Sequence, residues 1–354
     1  MRCRYCFYAD ETQKRETESY GKMSQETMRC VIRKALEAAE EECGFTFQGG
    51  EPTLAGFDFF RMFVKTVHEL NRKNVRVQYN LQTNGYRLEE EWYPFLKQND
   101  FLVGLSLDGS RRIHDRWRVD AQGEGTYQRV YRTISKLKEY QIRFNILTVV
   151  TGTSARHASE IYRYFKENGL EYQQYIECLD PLDEEPGKCE YSLTPGKYEY
   201  FLKSLFDCWY SDMKKGQYVY NRYFMNLWNI LRGGQPESCN MRGSCGLQWV
   251  IEADGSVYPC DFYVLDQWKL GNIKENSWKE IDQRRKELRF VEKSRMIPEE
   301  CGKCEWFYLC RNGCRRNCTD TPEGTRGKNY YCDAYRGFFT YAVPRLRELM
   351  QLWK

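Results

Sequence analysis

Residues 45–52 read FTFQGGEP, in which a short aromatic and β-branched run, Phe45–Phe47, stops at a glutamine and two glycines. Such a run followed by paired glycines is typical of a strand that ends in a tight turn. Similar polar or glycine-containing turns follow later apolar runs, as QTNG, SLDG and CLDP. Parallel α/β folds place their chemistry at the carboxyl ends of the strands, so these segments predict one functional edge of a sheet.

On both sides of this stretch, helical and extended patterns alternate along the chain. Helical spacing of apolar residues predicts helices at Met28–Ala39, Phe57–Leu70, Leu88–Leu96, Tyr127–Tyr140, Ala155–Asn168 and Tyr198–Met213. Strands are predicted at Phe45–Phe47, Val75–Gln82, Leu102–Leu107, Phe144–Thr151 and Tyr172–Leu179. Repeated β-α units predict an α/β fold with a parallel sheet and helices outside it. Because a full barrel needs eight strands, a partial barrel is favoured.

One change of texture divides the chain, after Arg232–Pro236, where cysteine-rich and loop-rich sequence begins. We expect residues 1–234 to form the partial barrel and residues 235–333 a cysteine-rich domain. The latter has a hairpin signal within Gln248–Tyr258, centred on Asp254–Gly255. Residues 334–354 are expected to form a C-terminal helix, kinked or restarted at Pro344.

The composition of the 354 residues excludes several classes of protein. Lys and Arg number 54 against 50 Asp and Glu, for a net charge of +4, which argues against polyanion binding as the main purpose and leaves room for a local basic patch. Arg315–Arg316 is a short basic pair in this balanced chain and gives little support for a nucleic-acid partner. No apolar run approaches the roughly 18–20 residues of a membrane span, and no secretion signal precedes Cys3. We expect a cytoplasmic protein without a membrane partner.

The 16 cysteines are the most informative feature, because only three histidines accompany them. Cys3 and Cys6 form one group and nine cysteines between Cys239 and Cys332 form another. Clustered thiols in a chain without a secretion signal favour thiolate-ligated metal centres over disulfides. Cys318 within the later group and the five cysteines outside both groups are expected to be ordinary thiols; those five are Cys30, Cys43, Cys178, Cys189 and Cys208.

The later group has the more specific spacing. It runs Cys239-x5-Cys245, Gly255-x4-Cys260, Cys301-x2-Cys304-x5-Cys310-x3-Cys314 and Cys332, with nine residues between Cys245 and Gly255. This pattern resembles the SPASM extension, which implies two auxiliary [4Fe–4S] clusters with four cysteines each. The resemblance implies that the first is held by Cys239, Cys245, Cys260 and Cys314, and the second by Cys301, Cys304, Cys310 and Cys332. Two structural zinc sites are the alternative.

Cys3-x2-Cys6 alone would indicate a redox pair, half of a zinc site or part of an iron–sulfur site. Followed by Phe7 and by β-α units containing GGEP, it resembles the radical SAM superfamily, whose C-x3-C-x2-C motif binds a [4Fe–4S] cluster and S-adenosylmethionine. Cys3 and Cys6 match the second and third cysteines. The first would lie two places upstream of Met1, so we expect a fragment or a misplaced start, with the first barrel strand also missing. We expect residues 1–354 alone to be inactive in cleaving S-adenosylmethionine.

The same resemblance implies contacts to S-adenosylmethionine. Gln48 and the segment Gly49–Gly50–Glu51 would face its amino group, and Ser106 would make a polar contact. Tyr5 and Leu179 would flank the adenine.

Finer likeness indicates a subgroup, the anaerobic sulfatase-maturating enzymes. It lies in Phe45–Thr53, Asn80–Gly85, Phe101–Gly109, Asn145–Thr151, Glu177–Leu182, Tyr258–Asp266, Leu270–Ile273 and, apart from Asn312, Cys310–Arg316. It implies oxidation of a sulfatase Cys or Ser, in a C/S-x-P/A-x-R motif, to formylglycine under anaerobic conditions. The implied cofactors are S-adenosylmethionine and three [4Fe–4S] clusters. The implied partners are the sulfatase and an electron donor such as a flavodoxin or ferredoxin.

Asp261 follows Cys260 in YPCDFY, and the resemblance implies that it is the catalytic base, with the auxiliary clusters removing an electron. Tyr8 is expected to line the substrate pocket. Two rival hypotheses stay open: a radical enzyme that modifies a ribosomal peptide precursor, for example by thioether formation, and a non-enzymatic iron–sulfur or zinc protein.

Overall fold

The computed structural model describes residues 1–320 and 326–353. Within that part, a six-stranded sheet has the strand order of the sequence, and every neighbouring pair is parallel. The strands are β1 Glu42–Phe47, β2 Arg76–Thr83, β3 Leu102–Ser106, β4 Phe144–Val150, β5 Tyr172–Glu177 and β6 Tyr220–Asn221. The predicted parallel sheet is confirmed. The sixth strand was not predicted because two residues give no readable alternation.

Helices alternate with these strands. Their bounds are α1 Phe7–Gln13, α2 Gln25–Ala38, α3 Phe57–Leu70, α4 Trp92–Gln98, α5 Arg111–Trp117, α6 Tyr127–Glu139, α7 Ala158–Glu167, α8 Pro195–Lys214 and α9 Arg222–Leu231. Helix α4 begins four residues later than expected, because Glu90 and Glu91 form a turn that leads into Trp92. Helix α5 was not predicted, since only Ile113, His114 and Trp117 are buried along it.

The cysteine-rich part is built from short elements. A three-stranded antiparallel sheet contains β7 Val250–Ile251, β8 Ser256–Tyr258 and β9 Gly271–Asn272, so the predicted hairpin is confirmed. Gly255 closes its turn with φ +96°, a conformation that favours glycine. The remaining elements are α10 Trp278–Glu287, α11 Phe290–Arg295, α12 Glu299–Gly302, α13 Phe307–Cys310, β10 Cys318–Asp320 and β11 Arg326–Asn329.

The chain closes with α14, Cys332–Leu352, which packs along α8. It is one helix through Pro344, so the predicted restart there is not observed. A proline removes one backbone donor, and the buried side chains Val343 and Leu346 hold both halves on the core. No described helix is long and apolar enough to cross a membrane.

Phe338 of α14 joins the C-terminal helix to the barrel, with its ring centroid 5.8 Å from those of Phe206 and Phe224. We expect Phe338→Ala to lower the free energy of unfolding by about 3–5 kcal/mol, because a buried aromatic ring leaves a cavity. Leu352→Ala, at a side chain of which 60% is exposed, is the control and should change little. Urea unfolding followed by circular dichroism measures both, and equal midpoints would contradict the packing described.

Candidate functional site

A cavity of about 540 Å³ lies where the carboxyl ends of the strands face the cysteine-rich part. This volume is in the range of pockets that bind small molecules. Residues from three parts of the chain line it. They are Cys3, Tyr5, Cys6 and Tyr8 from the N-terminal segment; Gln48, Gly49, Gly50, Ser106 and Leu179 from the sheet edge; and Cys239, Asp261 and Cys314 from the cysteine-rich part.

The loop that contains Cys3 and Cys6 is tied to the barrel by its backbone. Arg2 N donates to Val119 O over 2.7 Å, and Arg4 N donates to Trp117 O over 3.0 Å. Cys6 then begins helix α1 as its N-cap. Burial raises the pKa of the Cys3 thiol, and the nearby Arg118 guanidinium opposes that shift. These contacts hold the two cysteines in the lining of the cavity at the carboxyl ends of the strands.

A buried ion pair that the sequence did not reveal supports this loop. Arg118, only 6% exposed, donates from Nε and Nη2 to the two carboxylate oxygens of Asp108, over 2.9 and 3.1 Å. Its Nη1 lies 3.9 Å from Cys3 Sγ. Tyr5 Oη also donates to Asp108, and the Arg118 guanidinium lies 5.5 Å from the Tyr5 ring centroid. Asp108 belongs to the noted SLDG turn, but nothing in the sequence distinguishes Arg118.

The residues expected to contact S-adenosylmethionine divide into two kinds. Tyr5, Gln48, Gly49, Gly50, Ser106 and Leu179 line the cavity. Glu51 does not line it. Its carboxylate accepts hydrogen bonds from Thr53 N at 3.1 Å, Thr83 Oγ1 at 2.8 Å and Asn84 N at 2.8 Å. The Glu51 side chain therefore fixes the turn after β1 against the end of β2, and the expected contact of Glu51 with the cofactor stays a prediction.

Electrostatic interactions link three of the later cysteines to Cys314. Burial raises the pKa of the Cys314 thiol, and Cys239 and Cys245 raise it further. Burial likewise raises the pKa of Cys260, with additional effects of Asp261 and Cys314. Cys239, Cys245, Cys260 and Cys314 thus lie near one another.

A second set lies around Cys310. The pKa of Cys310 is raised to about 12, mainly by burial, and the neighbouring Cys332, Cys301 and Cys304 contribute to that rise. Among the described residues, no three His, Cys, Asp or Glu side chains are arranged to hold a single metal ion. Two neighbourhoods of four thiols suit two [4Fe–4S] clusters in their donor chemistry, because each cluster takes four cysteine ligands and binds them deprotonated.

Asp261 lies beside the first of these neighbourhoods and lines the cavity. Burial raises the pKa of its carboxyl, against which hydrogen bonds from Cys260 and Gln48 act to lower it. Cys260 Sγ lies 3.4 Å from Asp261 Oδ1. Burial raises the pKa of Tyr8 well above its usual range, and the charge of Asp261 adds to the shift. Asp261, Gln48 and Tyr8 therefore form one polar cluster between the sheet edge and Cys260.

Glu11 is a buried carboxyl that the sequence did not reveal. It is 2% exposed, and neither carboxyl oxygen has a hydrogen-bond partner among the described residues. Burial raises its pKa to about 8, while Arg316 opposes the shift and Asp261 adds to it. A carboxyl in the helix after a C-x2-C motif carries no sequence signal of such burial.

Two family models match the chain. The Radical SAM superfamily matches residues 1–165, and the SPASM iron–sulfur cluster-binding domain matches residues 239–305. A cysteine-type anaerobic sulfatase-maturating enzyme of Clostridium perfringens is 48% identical over 98% of this chain and 94% of its own length. A serine-type enzyme of Bacteroides thetaiotaomicron is 28% identical over 99% of this chain and 89% of its own.

Solved structures agree with these relatives. The structure of native anSMEcpe with bound AdoMet and Kp18Cys peptide superposes with a TM-score of 0.94 and 46% identity, covering 99% of this chain and 95% of that one. Streptococcus suis SuiB bound to S-adenosylmethionine gives a TM-score of 0.62 at 15% identity, over 94% of this chain and 72% of that one. The second likeness concerns the fold alone.

The buried Glu11 carboxyl predicts a pH-dependent stability. Between the unfolded pKa of about 4.3 and the folded value of about 8, the unfolded chain ionises while the folded one keeps its proton, so folding loses stability as pH rises. We expect Glu11→Gln to become progressively more stable than the original chain from pH 4.5 to pH 8. Urea unfolding across this range measures the difference. The exposed Glu275→Gln is the control, and a difference that stays constant with pH would contradict the burial.

Proposed function

We propose that this chain, which belongs to the anaerobic sulfatase-maturating enzymes of the radical SAM superfamily, oxidises an active-site Cys or Ser of a sulfatase to Cα-formylglycine. The observation that supports this most is the shared cavity. Cys3, Cys6, Ser106 and Asp261, which follows Cys260, all line it. A target side chain entering this space would meet both the radical source and the base.

The enzyme uses S-adenosylmethionine and iron–sulfur clusters. Together these groups supply, when bound, a 5′-deoxyadenosyl radical and a path for electrons. We assign Cys3 and Cys6 to the radical cluster, and the two neighbourhoods around Cys314 and Cys310 to auxiliary clusters, which makes three. The family motif has a third cysteine four positions before Cys3, so we expect cleavage of S-adenosylmethionine to need that thiolate in addition to residues 1–354.

Asp261 is assigned as the base. Its carboxylate would accept the proton of the target thiol or hydroxyl as the Cβ–H bond is lost, and burial raises its pKa toward that task. Loss of one further electron would give the aldehyde directly from Ser and a thioaldehyde from Cys, which water would convert to the aldehyde with release of hydrogen sulfide. Gln48 and Tyr8, from the opposite side of the same cluster, would orient the carboxylate and the target side chain. Cys260 neighbours Asp261, so the electron released from the substrate has a short route to the auxiliary cluster assigned there.

The client is a peptide segment of a sulfatase, and we propose that a cysteine target is preferred over serine. The relatives named as cysteine-type reach 48% identity, against 28% for the serine-type. The anSMEcpe structure contains a peptide, Kp18Cys, beside AdoMet. An electron donor such as a flavodoxin or ferredoxin completes the proposal.

We assign residues 1–234 to the barrel, 235–333 to the auxiliary-cluster domain and 334–354 to the C-terminal helix.

The reaction is tested with two peptides that differ only in having Cys or Ser in the C/S-x-P-x-R motif. The protein is extended upstream to include a cysteine four positions before Cys3, loaded with iron and sulfide, and given S-adenosylmethionine and reductant without oxygen. We expect aldehyde formation on the Cys peptide at a higher rate than on the Ser peptide, with 5′-deoxyadenosine, by mass spectrometry. Formation of 5′-deoxyadenosine with both peptides unchanged would refute the client, and a thioether product would support the rival enzyme.

Asp261→Asn tests the base. We expect the rate of aldehyde formation to fall about 100-fold or more, since a positioned acid–base group contributes 10²–10⁴-fold, while iron content stays the same. Asp266→Asn is the matched control, because Asp266 begins the next short 3-10 turn and accepts a hydrogen bond from Glu16 N at 2.8 Å. Equal rates for both variants would show that Asp261 is not the base.

A further inference from the structure

The basic pair Arg315–Arg316 follows Cys314 directly and has no part in the function described so far. Both side chains turn inward. Arg315 is 4% exposed, and Arg316 donates from Nη2 to Asp180 O over 2.8 Å. Burying a guanidinium is costly unless its surroundings compensate for lost water. The contacts of Arg315 with neighbouring groups contribute to this compensation.

Arg315 lies within a box of three aromatic rings. Its guanidinium carbon is 5.5 Å from the ring centroid of Tyr263, 4.9 Å from that of Trp268 and 5.3 Å from that of Phe290. The three rings meet edge to face, with centroids 5.2–5.7 Å apart. Nη1 also lies 3.4 Å from Phe290 O, to which it donates. Cation–π attraction from several ring faces holds the charge in one place.

Two of the rings that surround Arg315 lie in segments that carry or contact cysteines of the set Cys239, Cys245, Cys260 and Cys314. Tyr263 ends the 3-10 turn that begins at Asp261, directly after Cys260. Phe290 begins α11, whose Ser294 Oγ accepts a hydrogen bond from Cys245 N at 2.8 Å. Arg315 itself adjoins Cys314. Segments that carry Cys260 and Cys314, and a helix that hydrogen-bonds the segment of Cys245, therefore meet around one guanidinium.

A fixed positive charge in this position has a definite electrostatic effect. A [4Fe–4S] cluster with four thiolates is negatively charged, and reduction adds a further negative charge. In a buried site of low effective dielectric, a neighbouring cation stabilises the reduced form more than the oxidised form. The reduction potential of the cluster rises, which favours electron uptake.

We propose that Arg315 is a positioning residue which raises the reduction potential of the cluster held by Cys239, Cys245, Cys260 and Cys314, so that this cluster accepts the electron released by the substrate. The inference rests on the proposed function. One electron leaves the target residue and reduces the cluster by one electron, while the target's proton passes to Asp261. Arg315 forms and breaks no covalent bond and transfers no proton.

The test is a redox titration of the two auxiliary clusters, followed by electron paramagnetic resonance, on the chain of residues 1–354 loaded with iron and sulfide. Arg315→Met removes the charge and keeps an apolar side chain of similar length in the aromatic box. We expect one of the two auxiliary potentials to fall by about 59 mV or more, equivalent to a tenfold change in the ratio of reduced to oxidised cluster, and the other to stay unchanged.

Two further variants separate charge from packing. Arg315→Lys keeps a positive charge and should retain a potential closer to the original than Arg315→Met. Arg284→Met removes a charge from the surface of α10, where 51% of the Arg284 side chain is exposed, and should move neither potential. If Arg315→Met does not load with iron, Arg315→Gln supplies a second neutral side chain for the same measurement.

Unchanged potentials in an iron-loaded neutral variant would overturn the role of Arg315 and leave the proposed function intact. A shift of equal size in Arg315→Lys would also overturn it, because packing and not charge would then set the potential. If the original chain shows no signals from two four-iron clusters, the cysteine assignment itself fails, and the inference fails with it.

Discussion

The buried ion pair between Asp108 and Arg118 is the interaction on which the site depends. Asp108 follows β3, and besides Arg118 its carboxylate accepts hydrogen bonds from Tyr5 Oη and Val149 N. A pair taken out of water is stable only when its remaining polar atoms are satisfied in this way. Through it, the end of one strand, the neighbouring strand β4 and the Cys3 loop are fixed to one another, and the wall of the cavity follows.

The cysteine-rich part contributes thiols and a carboxyl to the cavity that the sheet borders. Its short elements place thiols and the Asp261 carboxyl near the carboxyl ends of the strands. Burial raises the pKa of each thiol for which a shift is described. Such thiols give up their protons when iron binds, because the positive charge of the iron compensates the thiolate charge that burial disfavours. Radical generation and electron removal are thereby assigned to residues in or beside the same cavity.

Much of this could be predicted from patterns local in sequence. The β-α alternation predicted the parallel sheet. The resemblance to the SPASM extension implied two sets of four cysteines between Cys239 and Cys332, and that assignment stays a prediction. Arg118, Glu11 and the Arg315 box depend on contacts between distant segments, which leave no periodic signal. The hydrogen bonds that the Glu51 carboxylate accepts from Thr83 and Asn84 at the next strand end were not predicted either, and the contact of Glu51 with the cofactor stays a prediction. Proximity in sequence to a motif does not fix the direction of a side chain.

The central claim is that the target side chain and S-adenosylmethionine meet in one cavity. A peptide whose target cysteine carries deuterium at both Cβ positions tests it, in the protein extended upstream to include a cysteine four positions before Cys3. The account predicts 5′-deoxyadenosine that contains one deuterium, formed in step with the aldehyde. Aldehyde formation with unlabelled 5′-deoxyadenosine would contradict direct hydrogen abstraction in this cavity.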